Sequence, residues 1–379
     1  MLVGLIGWRG MVGSVLIKRM VAEGDFKDIE VKFFSTSNSG GLISLPISFN
    51  GSNILFDAYS IDELKDCDVI LTCQGSSFTN KIFKPLRNMG WSGFWIDASR
   101  ELRMENDSVI VLDPVNHSEI LSAIKDGKKN FCGGNCTVSC LLMAINGLVK
   151  NNLVEWISST TYQAASGGGS NHIRELLRQM GLLHGAVKEK LEADKSDILE
   201  IDKLVLNSLK TLSDGEKKFF KVPLAGSLIS WIDQDLGEGS SLEEWKGNAE
   251  LNKILGLVHK DAIPVDYTCV RVGTIRCHSQ SLLIKLKKEI PVDELGRILK
   301  EGNSWVEVIQ NTKEDSERYL SPVHVSGTLK ILIGRIRKMR ADKKLIGAFT
   351  VGDQLLWGAA EPLRRMLRIL VNETNGGEG

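Results

Sequence analysis

The residues best suited to covalent chemistry lie in Gly133-Gly134-Asn135-Cys136-Thr137. Paired glycines let a backbone turn tightly or come close to a ligand, because no side chain blocks the approach. Cys136 follows at once, and behind it Val138, Leu141, Leu142, Ile145, Leu148 and Val149 recur at helical spacing. Asn135 or Thr137 suits the cap of that helix. Cys136 is therefore expected at a helix N-terminus, where free N–H groups and partial positive charge favour a thiolate. A thiolate attacks carbonyl carbon, and the same N–H groups would receive the oxyanion that forms. The competing reading is an inert buried thiol, since free cysteine is among the most buried residue types.

Such a nucleophile needs an acid or base. Of six histidines, His278 stands out in Arg271-Val272-Gly273-Thr274-Ile275-Arg276-Cys277-His278-Ser279-Gln280. On one continuous strand Arg271 and His278 would face opposite ways, unless Gly273 admits a bulge. The competing reading for His278 is a hydrogen-bonded structural imidazole. His172 is the runner-up and reads as an exposed helix position. Cys132, Cys136 and Cys140 are spaced by four with no CxxC pair, so no metal site is expected.

A second motif opens the chain. The short buried strand Leu2 to Ile6 runs into Gly7-Trp8-Arg9-Gly10-Met11-Val12-Gly13, then a helix with Val15, Leu16, Met20 and Val21 on one side. Strand, glycine turn, helix is the layout that sets a pyrophosphate on a helix N-terminus, although the spacing is GxxGxxG. The next strand, Val31 to Phe34, ends in Ser35-Thr36-Ser37 without the acidic residue an NAD ribose usually meets. Neutral hydroxyls with Arg9 nearby suit a 2′-phosphate, which points to NADP.

These motifs need elements to hold them. Residues 38–60 read as loop, Asp62-Glu63-Leu64 as a brief helix, Asp68 to Cys73 as a buried strand and Asn80–Met89 as a helix. Strands follow at Phe94 to Asp97 and Val109–Leu112. This alternation indicates a parallel, doubly wound sheet. After the Cys136 helix come the strand Val154 to Gln163 and helices near 171–192, 195–210 and 243–255. Strands at Tyr267–Arg276, Ser281–Lys287 and Lys330–Met339 suit an antiparallel or mixed sheet. A last helix, Gln354 to Leu370, is expected to return to the first domain, and Asn372 to Gly379 to fray.

The totals narrow the function classes. With 379 residues, two domains are expected. The formal net charge is zero, which removes the electrostatic case for nucleic acid or an anionic membrane surface. No apolar run is long enough to span a bilayer, and the N-terminus reads as a strand and not a signal sequence. Seven cysteines without an export signal read as reduced, cytoplasmic thiols.

The sequence resembles the aspartate-semialdehyde dehydrogenases, most closely the bacterial branch of Gram-negative type, up to about residue 370. The resemblance rests on Gly7 to Gly13, Phe34-Ser35-Thr36-Ser37, Thr72-Cys73-Gln74-Gly75, Gly133 to Ser139, Tyr162 to Gly169, Glu243-Glu244-Trp245-Lys246-Gly247, Arg271–Gln280 and Gly352 to Gly358. It implies a Rossmann-type domain of residues 1–133 and 356–379 and an α+β catalytic and dimerisation domain of residues 134–355, with a mixed sheet. It implies NADPH-dependent reduction of L-aspartyl 4-phosphate to L-aspartate 4-semialdehyde and phosphate, in a homodimer. Cys136 would match the nucleophile, His278 the acid/base, and Gln163 the residue that orients imidazole or substrate. Arg271 would match the clamp on the substrate α-carboxylate and Glu243 the partner of its α-amino group. Arg103, Asn135 and Lys246 would match the phosphate-binding groups. Arg9, Gly10, Met11, Val12, Thr36, Ser37, Gln74, Ser166, Gly167 and Gln354 would match cofactor contacts.

Three rivals share parts of this pattern. Another phosphorylating aldehyde dehydrogenase, of glyceraldehyde-3-phosphate or N-acetyl-glutamyl-phosphate type, uses the same glycine turn, Cys and His. A Cys-His acyltransferase would have no need of the turn at Gly7, and a non-catalytic NADP sensor would have an inert thiol.

Overall fold

The computed structural model describes residues 1–45, 48–193, 195 and 197–375. Its first part is an eight-stranded sheet whose strands all run parallel. The strands Leu2–Ile6 and Val69–Thr72 are apolar and almost wholly buried, as expected of a parallel sheet covered on both faces. Leu2–Ile6 pairs with Glu30–Ser35 on one side and Val69–Thr72 on the other. The strand order reverses there, which opens a crevice at the carboxyl edge.

Several expected boundaries move. The helix expected at Asn80–Met89 begins at Ser76, because Gly75 at φ 92 turns the chain straight off the strand. The first helix, Met11–Glu23, buries Leu16, Ile17 and Met20 and leaves Val21 exposed, so Ile17 and not Val21 completes its inner face. The strand Asn130–Gly133, which leads into the glycine pair, was not anticipated.

The second part is a seven-stranded mixed sheet. Its inner strand Val154–Gln163 pairs in parallel with Val265–Val272 and antiparallel with the central strand Cys277–Leu286. Arg271 and His278 therefore lie on different strands flanking Gln163, joined by a loop and not by a bulged strand. Arg271 pairs with Gln163, and Ser279 pairs with Tyr162, which sets His278 at the level of Gln163.

The helix Cys136–Lys150 is buried continuously from Thr137 to Leu148. The sequence shows one apolar side, but this helix is enclosed all round. Its core joins Ile110 and Leu112 to Ile157, Leu282, Ile284 and Ile331 of the mixed sheet. Such enclosure fixes its N-terminus, and so fixes Cys136.

The chain then returns. The expected helix at Gln354 starts later, because a π-helical turn, Leu356–Ala360, precedes the helix Glu361–Asn375. Leu363, Met366, Leu367 and Leu370 pack with Val3, Leu5 and Leu16. Arg364 pairs with Asp25 at 2.9 Å and Glu361 at 3.0 Å, all buried, and Arg19 reaches Glu361 at 2.8 Å. Asn372 to Asn375 are helical and not frayed. Residues 376–379 of the expected tail and of the 356–379 segment, like Pro46 and Ile47 of the expected loop, lie outside the described residues. No helix among the described residues is long and apolar enough to cross a membrane.

Candidate active site

Asn135, not Thr137, caps the Cys136 helix. Its Oδ1 accepts from the Thr137 N–H at 2.9 Å and the Val138 N–H at 3.3 Å, a bond set worth about 1 kcal/mol to the helix. Cys136 Sγ lies 3.1 Å from His278 Nε2. The other ring nitrogen, Nδ1, accepts the Ala164 N–H at 3.0 Å. An amide N–H only donates, so this network assigns the hydrogen of the neutral ring to Nε2, facing the sulfur. Burial, reinforced by the Arg271 charge, pulls the imidazole down to about 3. The ring is thus neutral at ordinary pH and acts as a donor to sulfur.

The thiol itself departs from expectation. Burial first, then the Glu243 charge, push Cys136 up to about 12, against Arg271, Arg103 and the Thr137 N–H. The helix terminus is present, but it does not outweigh desolvation. Gln163 also differs in part. Its Nε2 donates to Thr161 Oγ1 at 3.2 Å and Glu243 Oε1 at 3.3 Å, so the Ala164 main chain, not Gln163, orients the imidazole. His172 is half-buried, packed between Phe219 and Phe220 with ring centroids at 5.6 and 4.8 Å. It is not the exposed residue expected.

Cys136 opens on a cleft of about 490 Å³ lined by Arg103, Asn135, Gln163, Glu243, Lys246 and Arg271. Six residues from distant parts of the chain thus converge as the resemblance implies. Glu243 is buried and central: it accepts from Asn135 Nδ2 at 2.9 Å and lies 3.3 Å from Lys246 Nζ. Arg271, also buried, donates to the Ala164 carbonyl at 2.8 Å. No carboxylate among the described residues pairs with it, so its remaining N–H groups suit an anionic ligand.

Three participants were not anticipated. Glu250, buried, accepts the Asn135 N–H at 2.6 Å and pairs with Arg103 at 3.1 Å. Its spacing from Lys246 and Glu243, four and seven residues on one helix, is a signal the sequence does contain. Asp233 bonds both Lys246 and Arg100 from a loop, and no periodicity marks it. Gly358, in the π-helical turn, leaves no space for a side chain: a Cβ there would stand 2.8 Å from that of Cys136.

Most of the residues expected to contact a dinucleotide gather at the carboxyl edge of the parallel sheet. A Cβ on Gly7 would meet the Gln74 nitrogen at 2.5 Å, and one on Gly13 the Gly7 oxygen at 2.2 Å. The turn is thereby pressed against the crevice and the helix against the turn, a cradle that fits a pyrophosphate. Exposed Arg9 and Gly10 precede half-buried Met11 and Val12 at the helix start. Arg9 Nη2 donates to Ser35 Oγ at 2.7 Å, and Gln74 Nε2 to Thr36 Oγ1 at 3.4 Å; Ser37 is exposed beside them. Gln354 Nε2 donates to Ser166 Oγ at 2.7 Å, and Gln354 and Gly167 line the cysteine cleft. Ser76, two residues past Gln74, lines it too, so the two surfaces adjoin.

Comparison with known proteins agrees with this layout. Residues 2–123 match the family described as semialdehyde dehydrogenase, NAD binding domain, and residues 145–357 the one described as semialdehyde dehydrogenase, dimerisation domain. The structure of aspartate semialdehyde dehydrogenase from Francisella tularensis is 48% identical, with a TM-score of 0.91 over 98% of this chain and 99% of that one. Aspartate semialdehyde dehydrogenase II from Vibrio cholerae, complexed with ASA, is 22% identical with a TM-score of 0.77 over 98% of each chain. The Candida albicans enzyme with NADP, 16% identical, has a TM-score of 0.63 over 98% of this chain and 99% of that one. These last two show the shared fold. A dinucleotide cradle, a paired cysteine and histidine, and full-length likeness at 48% identity converge: the chain belongs to the aspartate-semialdehyde dehydrogenase family of oxidoreductases, with an NAD(P)-binding domain.

Proposed function

We propose that this chain reduces L-aspartyl 4-phosphate to L-aspartate 4-semialdehyde with NADPH, releasing phosphate through a Cys136 thioester. The reaction serves the aspartate-derived route to lysine and diaminopimelate, methionine and threonine. One observation carries the reading: the Cys136–His278 pair opens on a cleft that holds an anion-receptive Arg271 beside Glu243, Lys246 and Arg103.

Arg271 clamps the α-carboxylate in a bidentate fork, and Glu243 takes the α-ammonium. That ammonium neutralises the charge which, after burial, most raises the Cys136 thiol. Substrate binding therefore moves the nucleophile toward its thiolate. Arg103, Asn135 and Lys246 hold the phosphate. The Cys136 thiolate, its proton released to solvent on ionisation, bonds through Sγ to the acyl carbon, and the carbon–oxygen bond breaks to release phosphate. The N-terminal N–H groups of the Cys136 helix stabilise the oxyanion. A nicotinamide held by the residues named below would provide the hydride that reduces the acyl carbon. On collapse of the thiohemiacetal, the His278 Nε2–H donates to the departing sulfur. Gln163, fixed by Thr161 and Glu243, faces the substrate.

Arg9, Gly10, Met11, Val12, Thr36, Ser37, Gln74, Ser166, Gly167 and Gln354 would hold the cofactor. NADP is favoured because the strand Glu30–Ser35 ends without an acid, while Arg9, with no carboxylate partner among the described residues, reaches Ser35. Residues 1–133 with the described part of 356–379 would form the NADP-binding domain and 134–355 the catalytic domain, which would dimerise through the mixed sheet, where Tyr162 is exposed beside Phe349. The seven cysteines are free, which suits a cytoplasmic enzyme. The test is NADP reduction with aspartate semialdehyde and inorganic phosphate. Reduction that needs both substrates supports the reading. Activity on glyceraldehyde 3-phosphate instead, or independence from phosphate, sinks it.

A further inference from the structure

We propose that Asp233 is a resident counter-anion of the phosphate site, which the phosphate of the substrate must displace to bind. The inference rests on the function proposed above and deepens it at one residue. A single oxygen, Asp233 Oδ2, accepts from both Lys246 Nζ and Arg100 Nη1, the latter at 2.8 Å. Two cations on one oxygen are what a phosphoryl oxygen would also meet. Lys246 is one of the groups read as binding phosphate, and Arg100, Asp233 and Lys246 line the same cleft as Cys136.

The other two carboxylates of this site are held differently. Glu243 and Glu250 are buried on the helix Leu242–Ile254, each tied to Asn135. Asp233 sits in the irregular segment between the short strands Leu228–Ile229 and Asp235–Gly237, at φ 72, a left-handed conformation rare for a residue with a side chain. Its side chain keeps 23% exposure. Its local ties are a bond from Trp231 Nε1 to its carbonyl at 3.2 Å and from the Gln234 N–H to Oδ1 at 2.9 Å. Burial opposes its charge, but Lys246, with Arg100, holds its carboxyl below the ordinary value. Asp233 is therefore anionic at neutral pH.

A phosphate dianion must compete with the Asp233 carboxylate for Lys246 and Arg100, because like charges at that range repel. An incoming ligand must offer more charge and more oxygens than the carboxylate it replaces. Phosphate does, and a free carboxylate does not. Asp233 thus selects against unphosphorylated acids at the position of the leaving group, and it shields Lys246 while the site is empty.

The experiment uses the full chain and two readouts. In the phosphorylating direction, Asp233→Asn is expected to lower the KM for inorganic phosphate by about threefold or more while kcat changes less, since the competitor for Lys246 has lost its charge. An unchanged or raised KM overturns the inference and leaves Asp233 as a residue that positions Lys246. Independently of turnover, titrating wild-type protein with inorganic phosphate should give a saturable fluorescence change that Trp231→Phe removes, because Trp231 is bonded to the displaced residue. A phosphate titration with no such change also overturns it. Wild-type protein with no phosphate-dependent reduction of NADP would instead fail the proposed function, whichever way the fluorescence turns.

Discussion

At the carboxyl edge of the parallel sheet, Arg9, Gly10, Ser37 and Gln74 are exposed around a turn whose Gly7 and Gly13 leave no room for a Cβ. In and just behind the adjoining cleft, Glu243, Lys246, Glu250, Arg271 and His278 are all buried, and their side chains bond to one another or to nearby main chain. The first surface is shaped by where chain cannot carry a Cβ. The second is shaped by which charge answers which. A substitution on the exposed edge should shift preference, whereas one in the cleft should remove function, because its partners are left buried and unmatched.

The sharpest break would come from Cys136→Ala. Turnover should fall by about 10⁴-fold or more, since a covalent step is lost, while NADPH binding, followed by fluorescence, stays as in wild type. Retained turnover would end the assignment. Arg271→Lys should lower kcat/KM for aspartate semialdehyde by about a hundredfold, because a point charge cannot copy the fork. Equal kinetics would place the carboxylate elsewhere.

Protonation offers a finer contrast. With the imidazole near 3 and the thiol near 12, iodoacetamide should label the ligand-free protein about tenfold faster per pH unit from pH 6 to 9, with no inflection near the ordinary histidine value. Glu243→Gln removes a charge that raises the thiol, so labelling at pH 8 should quicken by about tenfold. An inflection between pH 6 and 7 would show that the ring takes the thiol proton. The smallest effect belongs to the exposed edge. Arg9→Ala should reduce the preference for NADP over NAD by about fivefold to tenfold with kcat nearly kept, as read from the two cofactor KM values. No change would remove Arg9 from the 2′-phosphate.

The difference between the two regions also explains what was legible in the amino-acid order. The turn Gly7 to Gly13 and the Asn135 cap are local devices, written in a few consecutive residues, and both stand where spacing puts them. The convergence of Arg103, Gln163, Glu243, Arg271 and His278 depends on register between strands far apart in the chain. Composition and periodicity do not encode that, and only the resemblance brought those residues together beforehand. Local spacing leaves open whether Arg271 and His278 share one strand bulged at Gly273, and in the fold Val272 ends one strand while Cys277 begins the next. The spacing offers both a thiolate at a helix N-terminus and an inert buried thiol, and only the surrounding fold shows that burial outweighs the helix terminus.

The helix Glu361–Asn375 closes the apolar interior around Val3 and Leu5 and locks there through Arg364 and Asp25. During synthesis, then, the strands around Val3 and Leu5 must wait for a segment far later in the chain before their greasy side is covered. A shortened product ending ahead of Glu361 would keep every amino acid of the glycine turn, yet be sticky and prone to clump.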